Sequence, residues 1–338
     1  MTTLNPQSSI LNPERPVRGK SFKGLGRIIG FFAFLFVLAI VLDSMISTGL
    51  RRIKTSSIGA FNQVMLGQVN ADIIITGSSR AQVHYDPRII AEATGKTAFN
   101  LGLNGSQTDM QLAYFKAYLE RNRKPEMVIH NLDLFTFSMT KEVYDPARYF
   151  GHLASHPIYE ELRRINPDAW KWKYMPLYKY SVEDMRFTWM NGLKGFFGWN
   201  PPEDHFLGYN PRDLKWTGDF ESFKANQSSI DVEIEPAGIE VLRSLIQVCH
   251  ERKITLILVY TPEYYEAQEM TSNRAKIFET FQNLAAPFQV PIWDYSGSPL
   301  CQQRDLFYNS QHLNRPGSGA FSQDLARRIK SFNPSHPD

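Results

Sequence analysis

An apolar run that ends in Gly77-Ser78-Ser79 constrains the fold of this chain more than any other stretch of its sequence. Residues 72–76 read Asp-Ile-Ile-Ile-Thr, a run typical of a strand that is buried on both faces. Gly77 allows a sharp turn and leaves no side chain beside the hydroxyls that follow. Open parallel sheets carry their chemistry outside the carboxyl ends of their strands, so Ser79 would lie at the functional edge. Gly and Ser are also ordinary turn residues, and the stretch alone predicts only a strand and a turn.

The rest of the chain repeats this pattern, because apolar strands alternate with helical segments. Further strands are predicted at 97–101, 127–132, 254–260 and 290–294. Helices are predicted at 87–95, 108–123, 237–252, 272–284 and 321–332, the last after a turn at 316–320. This order predicts an α/β fold with a parallel sheet and right-handed crossover connections.

Composition limits the classes of partner. With 338 residues, 43% of them hydrophobic and 21% charged, the chain is globular and long enough for one large domain or two ordinary ones. A net charge of +3 is too small to indicate a nucleic-acid partner. Cys249 and Cys301 form neither a disulfide framework nor a metal-binding motif. No glycine-rich phosphate-binding motif follows a strand, which makes nucleotide binding a weak third hypothesis, and we expect neither a cofactor nor a metal.

The N-terminal region predicts a membrane anchor. Residues 1–27 are polar, basic and proline-containing, and we expect a disordered leader. Residues 28–42 carry no charge, and residues 43–50 extend them to a transmembrane helix at 28–50. A cleaved signal peptide and a buried core helix are the alternatives. The long basic leader and the lack of an Ala-x-Ala site argue against cleavage, and large apolar residues on all faces argue against a core helix.

Charges beside this segment predict its orientation. Basic residues before it outnumber those after it: Arg15, Arg18, Lys20, Lys23 and Arg27 precede it, and Arg51, Arg52 and Lys54 follow. This bias favours a single-pass protein with a cytoplasmic N-terminus and a globular part that is periplasmic or extracellular. Residues 51–70 are predicted to form a connecting helix between the anchor and the first strand.

Residues 140–235 interrupt the alternation and predict an inserted, partly helical subdomain. This stretch is rich in Trp, Tyr, Phe and Pro. Three interpretations of its aromatic residues stay open. They form a small core of their own, they form a lid or a platform for carbohydrate, or they contact the membrane surface.

A histidine in the last loop complements Ser79. His312 precedes the final helix and is therefore expected at the carboxyl edge of the sheet, as is Ser79. Loops at this edge converge, so the imidazole could reach the Ser79 hydroxyl and act as its general base. A lone histidine is more often structural, and the catalytic interpretation depends on this pairing.

These motifs resemble three conserved blocks of the SGNH (GDSL-like) hydrolase family. Residues 77–79 match its Gly-x-Ser nucleophile block, residues 100–105 match its second block, and residues 312–317 match its histidine block. The resemblance covers residues 72–135 and 250–332. It implies a flavodoxin-like three-layer α/β/α sandwich with a parallel sheet, formed by residues 71–139 and 236–333.

The resemblance also implies roles for single residues. Ser79 would be the nucleophile and His312 its base. The backbone N–H groups of Ser79 and of a glycine in the second block would hold the oxyanion. Gly105 is the closer counterpart of that glycine, and Gly102 is the alternative.

Two positions depart from the family pattern. The family usually has Asp three residues before the histidine, where this chain has Asn309. Asn can orient an imidazole but lacks the charge that stabilises an imidazolium, which leaves Asp305 as an alternative third residue. The family also has an oxyanion-donating Asn after its third strand. Here Asn131 would serve only if that strand ends early, and Asn104 is the alternative donor.

The resemblance implies a membrane-anchored serine esterase or O-acyltransferase that acts on an acylated polysaccharide or another ester. Membrane-anchored relatives that similarly vary these blocks include the D-alanyl transfer protein of teichoic-acid machinery and alginate O-acetylation proteins. The alternative is a non-catalytic glycan-binding or assembly subunit of a cell-envelope polysaccharide system, with envelope proteins as partners. The two departures favour this alternative.

Overall fold

The computed structural model of this protein describes residues 22–181 and 186–332, and the predicted leader lies outside the described residues up to position 21. The described strands are β1 (Ile73–Thr76), β2 (Ala98–Asn100), β3 (Met127–Leu132), β4 (Thr255–Tyr260), β5 (Ile292–Asp294), β6 (Phe307–Asn309) and β7 (His312–Leu313). In chain order the described helices are α1 (Phe22–Arg52), α2 (Ser56–Met65), α3 (Ser79–His84), α4 (Pro87–Thr94), α5 (Thr108–Arg121), α6 (Ala147–Phe150), α7 (His156–Ile165), α8 (Ala169–Tyr174), α9 (Tyr178–Ser181), α10 (Arg186–Phe196), α11 (Asp219–Asn226), α12 (Pro236–Glu251), α13 (Tyr265–Glu269), α14 (Arg274–Ala285) and α15 (Arg315–Ser331).

Strands β1 to β5 form one parallel sheet in the order β2-β1-β3-β4-β5. The apolar run of β1 is buried on both faces: Ile73 and Ile75 pack under α4 and α15, and Ile74 packs under α2, α5, α12 and α14. Parallel strands between two helical layers need this continuous apolar pattern. The prediction of a flavodoxin-like α/β/α sandwich with a parallel sheet is confirmed.

The strand order creates a crevice at the carboxyl end of β1. Strands β2 and β3 pair with opposite edges of β1, so the connections that leave these strands diverge above the sheet. In doubly wound sheets this divergence marks the place where ligands bind. Ser79 lies there, as the first residue of α3.

Helix α1 has an exposed apolar part and a buried part. It begins at Phe22, before the predicted start at residue 28, and its large apolar side chains from Leu25 to Val41 are exposed. The helix is long and apolar enough to cross a membrane. The predicted transmembrane helix at 28–50 extends past the exposed apolar part of α1, because Ile46 and Leu50 are buried in the main hydrophobic core. The predicted connecting helix at 51–70 is divided between the end of α1 and the shorter α2.

The inserted region contributes helices α6 to α11 and then returns to the sheet. Some of its aromatic residues are buried: Phe150 contacts the rings of Trp172 and Tyr180 within the main core. Other aromatic residues of the region are exposed, for example Tyr174 at 65% and Phe197 at 80%. The region therefore shares the core of the sandwich and also presents an apolar surface.

The last loop differs from its prediction. The predicted turn at 316–320 is wrong, because α15 begins at Arg315 and includes these residues. Asn314 caps the helix: its side-chain oxygen accepts a hydrogen bond from the Gly317 N–H at 3.1 Å. Pro316 lies in the first turn, where its missing N–H costs nothing. Before the cap, β6 and β7 form an antiparallel hairpin that the sequence did not predict.

Candidate active site

The turn after β1 requires a glycine. Gly77 has φ +143°, a backbone conformation that side-chain-bearing residues rarely adopt. A Cβ on Gly77 would lie 2.7 Å from the Asn131 Cβ and 2.8 Å from the Ala81 Cβ. Ser78 then caps α3, because its Oγ accepts a hydrogen bond from the Arg80 N–H at 3.2 Å. This turn leaves Ser79 partly exposed at the start of the helix.

The hairpin β6–β7 brings His312 to Ser79. The distance from Ser79 Oγ to His312 Nε2 is 2.8 Å, although the two residues are 233 positions apart. Tyr308 of the same hairpin stacks on the imidazole, with ring centroids 5.3 Å apart and planes at 14°. The His312 ring is therefore held on one face by an aromatic ring while its Nε2 points at the serine hydroxyl.

Asn309 fixes the tautomer of His312. The Asn309 Oδ1 lies 3.1 Å from the backbone N of Gln311 and 2.9 Å from that of His312. Both backbone groups donate, so the oxygen of the Asn309 amide must face them. The same Oδ1 lies 2.9 Å from His312 Nδ1, which must therefore carry a proton. His312 Nε2 is then left without a proton and can accept the one on the Ser79 hydroxyl.

The alternative third residue, Asp305, is not brought to the imidazole. Asp305 is exposed, and its backbone carbonyl accepts a hydrogen bond from Asn314 Nδ2 at 2.7 Å. The structure thus pairs His312 with the neutral Asn309.

His84 supports the histidine loop from behind. The Leu313 N–H donates to His84 Nε2 at 3.0 Å, so His84 Nδ1 carries the proton and donates to Thr261 Oγ1 at 2.9 Å. His84 is fully buried, and burial lowers its pKa well below the usual value. A neutral His84 is required, because a protonated ring could not accept the Leu313 N–H.

His312 is also neutral. Burial is the main cause that lowers its pKa to about 3, and the charges of Arg80 and Arg212 act in the same direction. Arg212 belongs to the returning segment of the insertion, and its carbonyl accepts a hydrogen bond from the Arg315 N–H at 2.8 Å. The insertion thus places a cation near the imidazole, which the sequence did not predict.

Two of the predicted oxyanion donors already donate hydrogen bonds within the protein. The Gly102 N–H donates to Asn100 Oδ1 at 2.7 Å, and the Asn131 amide nitrogen donates to Leu132 O and Asp133 Oδ1, both at 3.1 Å. Neither Gly102 nor Asn131 is therefore available as a donor, and both are corrections to the expected set. Asn131 also accepts from the Tyr85 hydroxyl at 2.9 Å.

The other three expected donors, Ser79, Gly105 and Asn104, are at least partly exposed. Ser79 is the first residue of α3, and such a residue has no acceptor for its N–H within the helix. Gly105 is exposed with φ +70°, and Asn104 lies beside it, its amide 3.4 Å from the Tyr144 hydroxyl. A side chain on Gly105 would collide with the Tyr144 ring.

A buried ionic cluster lies beneath the site and was not predicted. Arg80 is 2% exposed, 3.4 Å from Asp133, and its guanidinium lies 4.7 Å from the centroid of the Tyr260 ring. Burial raises the pKa of Asp133, and the charge of Arg80 opposes this shift. The only signal in the sequence was the position of Arg80 directly after Gly-Ser-Ser, which by itself indicates an exposed residue in the first turn of a helix.

Among residues 22–181 and 186–332, no group of three or more His, Cys, Asp or Glu side chains is arranged to hold a metal ion. Both cysteines are buried and unpaired with each other. The chemistry available at the site is that of a hydroxyl next to a neutral imidazole, at the N-terminus of α3.

Comparison with known proteins gives distant structural neighbours. No protein-family model and no curated protein matches the chain. A solved structure from Streptococcus pneumonia, provisionally described as a platelet activating factor, is 14% identical, with a TM-score of 0.40 over 90% of this chain and 99% of its own. A solved structure from Desulfitobacterium hafniense, provisionally described as a lipolytic protein of the G-D-S-L family, is 12% identical, with a TM-score of 0.37 over 75% of this chain and 97% of its own. Neither likeness is close enough to assign an activity to this chain.

Proposed function

We propose that this chain is a serine-dependent ester hydrolase or O-acyltransferase in which Ser79 is the nucleophile and His312 its general base. The observation that carries this proposal is the 2.8 Å distance from Ser79 Oγ to His312 Nε2, with Nδ1–H bound to Asn309. A nucleophile, a base within hydrogen-bond reach and a group that orients the base are the parts that activate a serine hydroxyl.

The reaction begins with proton transfer from the Ser79 hydroxyl to His312 Nε2. The Ser79 oxygen attacks the ester carbonyl, and the resulting tetrahedral intermediate carries an oxyanion. The imidazolium then gives its proton to the departing alcohol, which leaves an acyl group on Ser79. Water or an acceptor hydroxyl attacks this acyl-enzyme in the same way, with His312 again as the base.

Backbone N–H groups stabilise the oxyanion. The N–H of Ser79 at the start of α3 is one donor, and the N–H of Gly105 in the adjacent loop is the second. Loss of one such donor typically costs about 2.7–4 kcal/mol of transition-state stabilisation. The side-chain amide of Asn104 is the alternative second donor.

Asn309 positions the base without charging it. Its oxygen holds the Nδ1–H tautomer, but it does not offset the positive charge that appears on His312 when the serine proton is transferred. We therefore expect a modest catalytic rate, together with activity that persists at acidic pH because the resting imidazole stays neutral.

We also propose the cellular setting of this activity. Helix α1 anchors the chain, with the basic leader in the cytoplasm and the globular part in the periplasm or outside the cell. An anchored enzyme of this chemistry suits an acylated surface polysaccharide or a lipid-linked glycan, and envelope proteins that build such glycans are its expected partners. This substrate class rests on the family resemblance and on the anchor.

The proposal is tested with p-nitrophenyl acetate and the full chain in detergent. Ser79→Ala is expected to lower kcat/KM by at least about 1,000-fold, since the nucleophile is lost. Ser310→Ala, a change of the same kind in the β6–β7 turn, is the matched control and is expected to keep the wild-type rate. Turnover of Ser79→Ala at the wild-type rate would remove Ser79 from the mechanism.

A non-catalytic glycan-binding or assembly subunit is the second candidate. Two observations favour it: the neutral Asn309 takes the place of a carboxylate, and Asn131 is occupied within the core. Such a subunit would bind acylated glycan with equal affinity before and after Ser79→Ala, and the wild type would show no turnover above that variant.

A further inference from the structure

The inserted region presents an exposed apolar surface beside the membrane-length helix. Six side chains on and next to α8 and α10 form it, and we call them the interfacial patch. They are 37–65% exposed: Trp170, Tyr174, Met175, Phe187, Trp189 and Met190. Exposed aromatic residues in such number are costly in water and usually mark a surface that something covers.

Helix α10 lies parallel to α1 in a fixed register. A Cβ on Gly192 would lie 2.7 Å from the Ile46 carbonyl oxygen, and a Cβ on Gly195 would lie 2.5 Å from that of Gly49. Beyond α10 the same offset continues, because the Lys54 N–H donates to Asn200 Oδ1 at 2.6 Å. The Lys54–Asn200 and Thr55–Pro201 hydrogen bonds and both glycine contacts join residues 146 positions apart, as expected for two segments that run side by side in one direction.

This register gives each patch residue on α10 a level along α1. Phe187 stands at the level of Val41 and Trp189 at the level of Asp43. Val41 is the last large, strongly exposed apolar residue of α1, whereas Ile46 is already buried in the core. The start of α10 therefore lies where the exposed apolar part of α1 ends.

Helices α8 and α9 are tied to the same level. Both carboxylate oxygens of Asp43 lie 2.7 Å from Lys179 Nζ, and the Leu177 N–H donates to Asp43 Oδ1 at 2.9 Å. Met175 is two residues before Leu177, and Tyr174 precedes it. The segment that follows α8 thus meets α1 at the height where α10 begins.

We propose that the interfacial patch lies in the headgroup region of the bilayer that α1 crosses, so that the insertion is a second, peripheral membrane contact. This inference rests on the proposed anchoring by α1. The stretch of α1 from Gly24 to Leu42, which carries one charged residue, Arg27, near its start, is about 27 Å long at 1.5 Å per residue, close to the ~30 Å thickness of a hydrocarbon core. Its end therefore coincides with the interface, where Trp and Tyr side chains concentrate in membrane proteins.

Lipid is favoured over a protein partner because the patch continues the lipid-facing surface of α1 without a step. A partner protein would have to contact α10 at the height where α1 passes from the acyl chains into the headgroup region. The consequence is that the α/β domain cannot swing freely on its tether, because two contacts fix its height and tilt.

Two tryptophans give a matched test. Trp189 and Trp199 are equally exposed, at 39% each, but the register places Trp199 at the level of Ile53. Ten residues of helix separate the two levels, which is about 15 Å along α1. Trp189 should therefore lie in the interface and Trp199 in water.

The experiment uses the full chain in nanodiscs of phosphatidylcholine and phosphatidylglycerol, with and without phosphatidylcholine brominated near the headgroup end of its acyl chains. The emission of Trp189 is obtained by subtracting the fluorescence of Trp189→Phe from that of the wild type, and the emission of Trp199 is obtained in the same way from Trp199→Phe. We expect brominated lipid to reduce the Trp189 emission at least about two-fold and to leave that of Trp199 nearly unchanged. Aqueous iodide should show the opposite preference.

Equal quenching of the two tryptophans by brominated lipid would overturn the proposal. Quenching of Trp189 by iodide alone would also overturn it, and would indicate a face that stays in water for a protein partner. Neither result depends on catalysis, so failure here is distinct from failure of the Ser79 hydrolysis test.

Discussion

At the residue scale, Asn309 is the side chain that decides how His312 behaves. Its oxygen accepts from two backbone N–H groups and from the imidazole Nδ1. The geometry is that of a residue that orients a base, but the charge of a carboxylate is missing. Burial then lowers the pKa of His312 to about 3 with no acid nearby to raise it. The base is correctly aimed and weakly basic.

Asn309→Asp is therefore expected to strengthen the base. A carboxylate next to Nδ1 would raise the pKa of His312 and increase kcat/KM at neutral pH by roughly ten-fold, equivalent to about 1.4 kcal/mol. The wild type should keep its activity as the pH falls until acid unfolds the chain, whereas the variant should lose activity earlier, as the pH falls through the raised pKa of His312. The measurement is the pH profile of kcat/KM on p-nitrophenyl acetate.

Asp305→Asn is the control for this change, because the Asp305 residue is exposed and its side chain is not placed at the imidazole. It should leave the profile unchanged. Identical profiles for wild type and Asn309→Asp would show that Asn309 does not act on the base.

At the element scale, α15 holds the histidine loop in place through its cap. Asn314 accepts from Gly317 N–H, donates from its amide to the Asp305 carbonyl at 2.7 Å, and immediately follows β7. The cap therefore joins the start of a long helix to both ends of the hairpin that carries His312.

Asn314→Ala should lower stability by about 1–2 kcal/mol, since the cap is lost, and should reduce kcat/KM because His312 becomes less well positioned. Asn314→Asp keeps the capping oxygen but loses the amide that donates to the Asp305 carbonyl, so it should recover only part of the stability. Thermal unfolding of the full chain in detergent gives the first quantity and ester hydrolysis the second. Unchanged melting temperatures for both variants would contradict this role.

The elements that sequence reasoning found are those with strong local signals. The isoleucines of β1 are apolar on both faces, and the Asp86-Pro87 pair begins α4 with a side-chain cap at 3.0 Å. The start of α15 was missed because Pro316-Gly317 resembles a turn, and only the capping geometry of Asn314 extends the helix through it. The hairpin β6–β7 was missed because its strands are only three and two residues long, too short to show an alternating pattern.

In the candidate site, too, the residues with local sequence signals could be predicted, and those that depend on tertiary contacts could not. Ser79 and His312 were chosen from short motifs, and their meeting depends on the parallel sheet, which the alternation predicted. Arg80 and Arg212 could not be predicted as neighbours of the site. The burial of Arg80 depends on tertiary partners such as Asp133, and the position of Arg212 depends on how the insertion returns to the sheet.

At the scale of the whole molecule, buried neutral histidines link stability to pH. Burial lowers the pKa of His130 to about 3. Burial is also the largest cause that lowers the pKa of His152 to about 3 and that of His84 well below its usual value. In the unfolded chain these groups titrate near pH 6.5. Between pH 6.5 and about 3 the unfolded state therefore binds more protons than the folded state.

Stability is accordingly expected to be full above pH ~6.5 and to fall with acidification, by up to about 1.4 kcal/mol per pH unit for each fully buried histidine. The melting temperature of the full chain in detergent, measured at several pH values from neutral to acidic, tests this. His84, His130, His152 and His312 all contribute to the expected effect, because burial is the largest cause that lowers the pKa of each. A melting temperature that stays constant across that range would contradict the burial of neutral histidines.

The insertion connects the two functional parts of the molecule. It binds α1 through Lys179 and Asp43, and its returning segment binds the hairpin, where the Thr217 N–H donates to the Tyr308 carbonyl at 2.8 Å. One continuous region thus contacts both helix α1 and the hairpin that carries His312.

The central claim is that the imidazole of His312 activates the hydroxyl of Ser79. The most direct measurement is labelling of the full chain with a fluorophosphonate, read by mass spectrometry of the modified peptide. The account predicts a single adduct on Ser79 in the wild type, a loss of labelling in His312→Ala, and unchanged labelling in Asp305→Asn. A wild-type protein whose Ser79 stays unmodified, or a His312→Ala variant that labels at the wild-type rate, would contradict it.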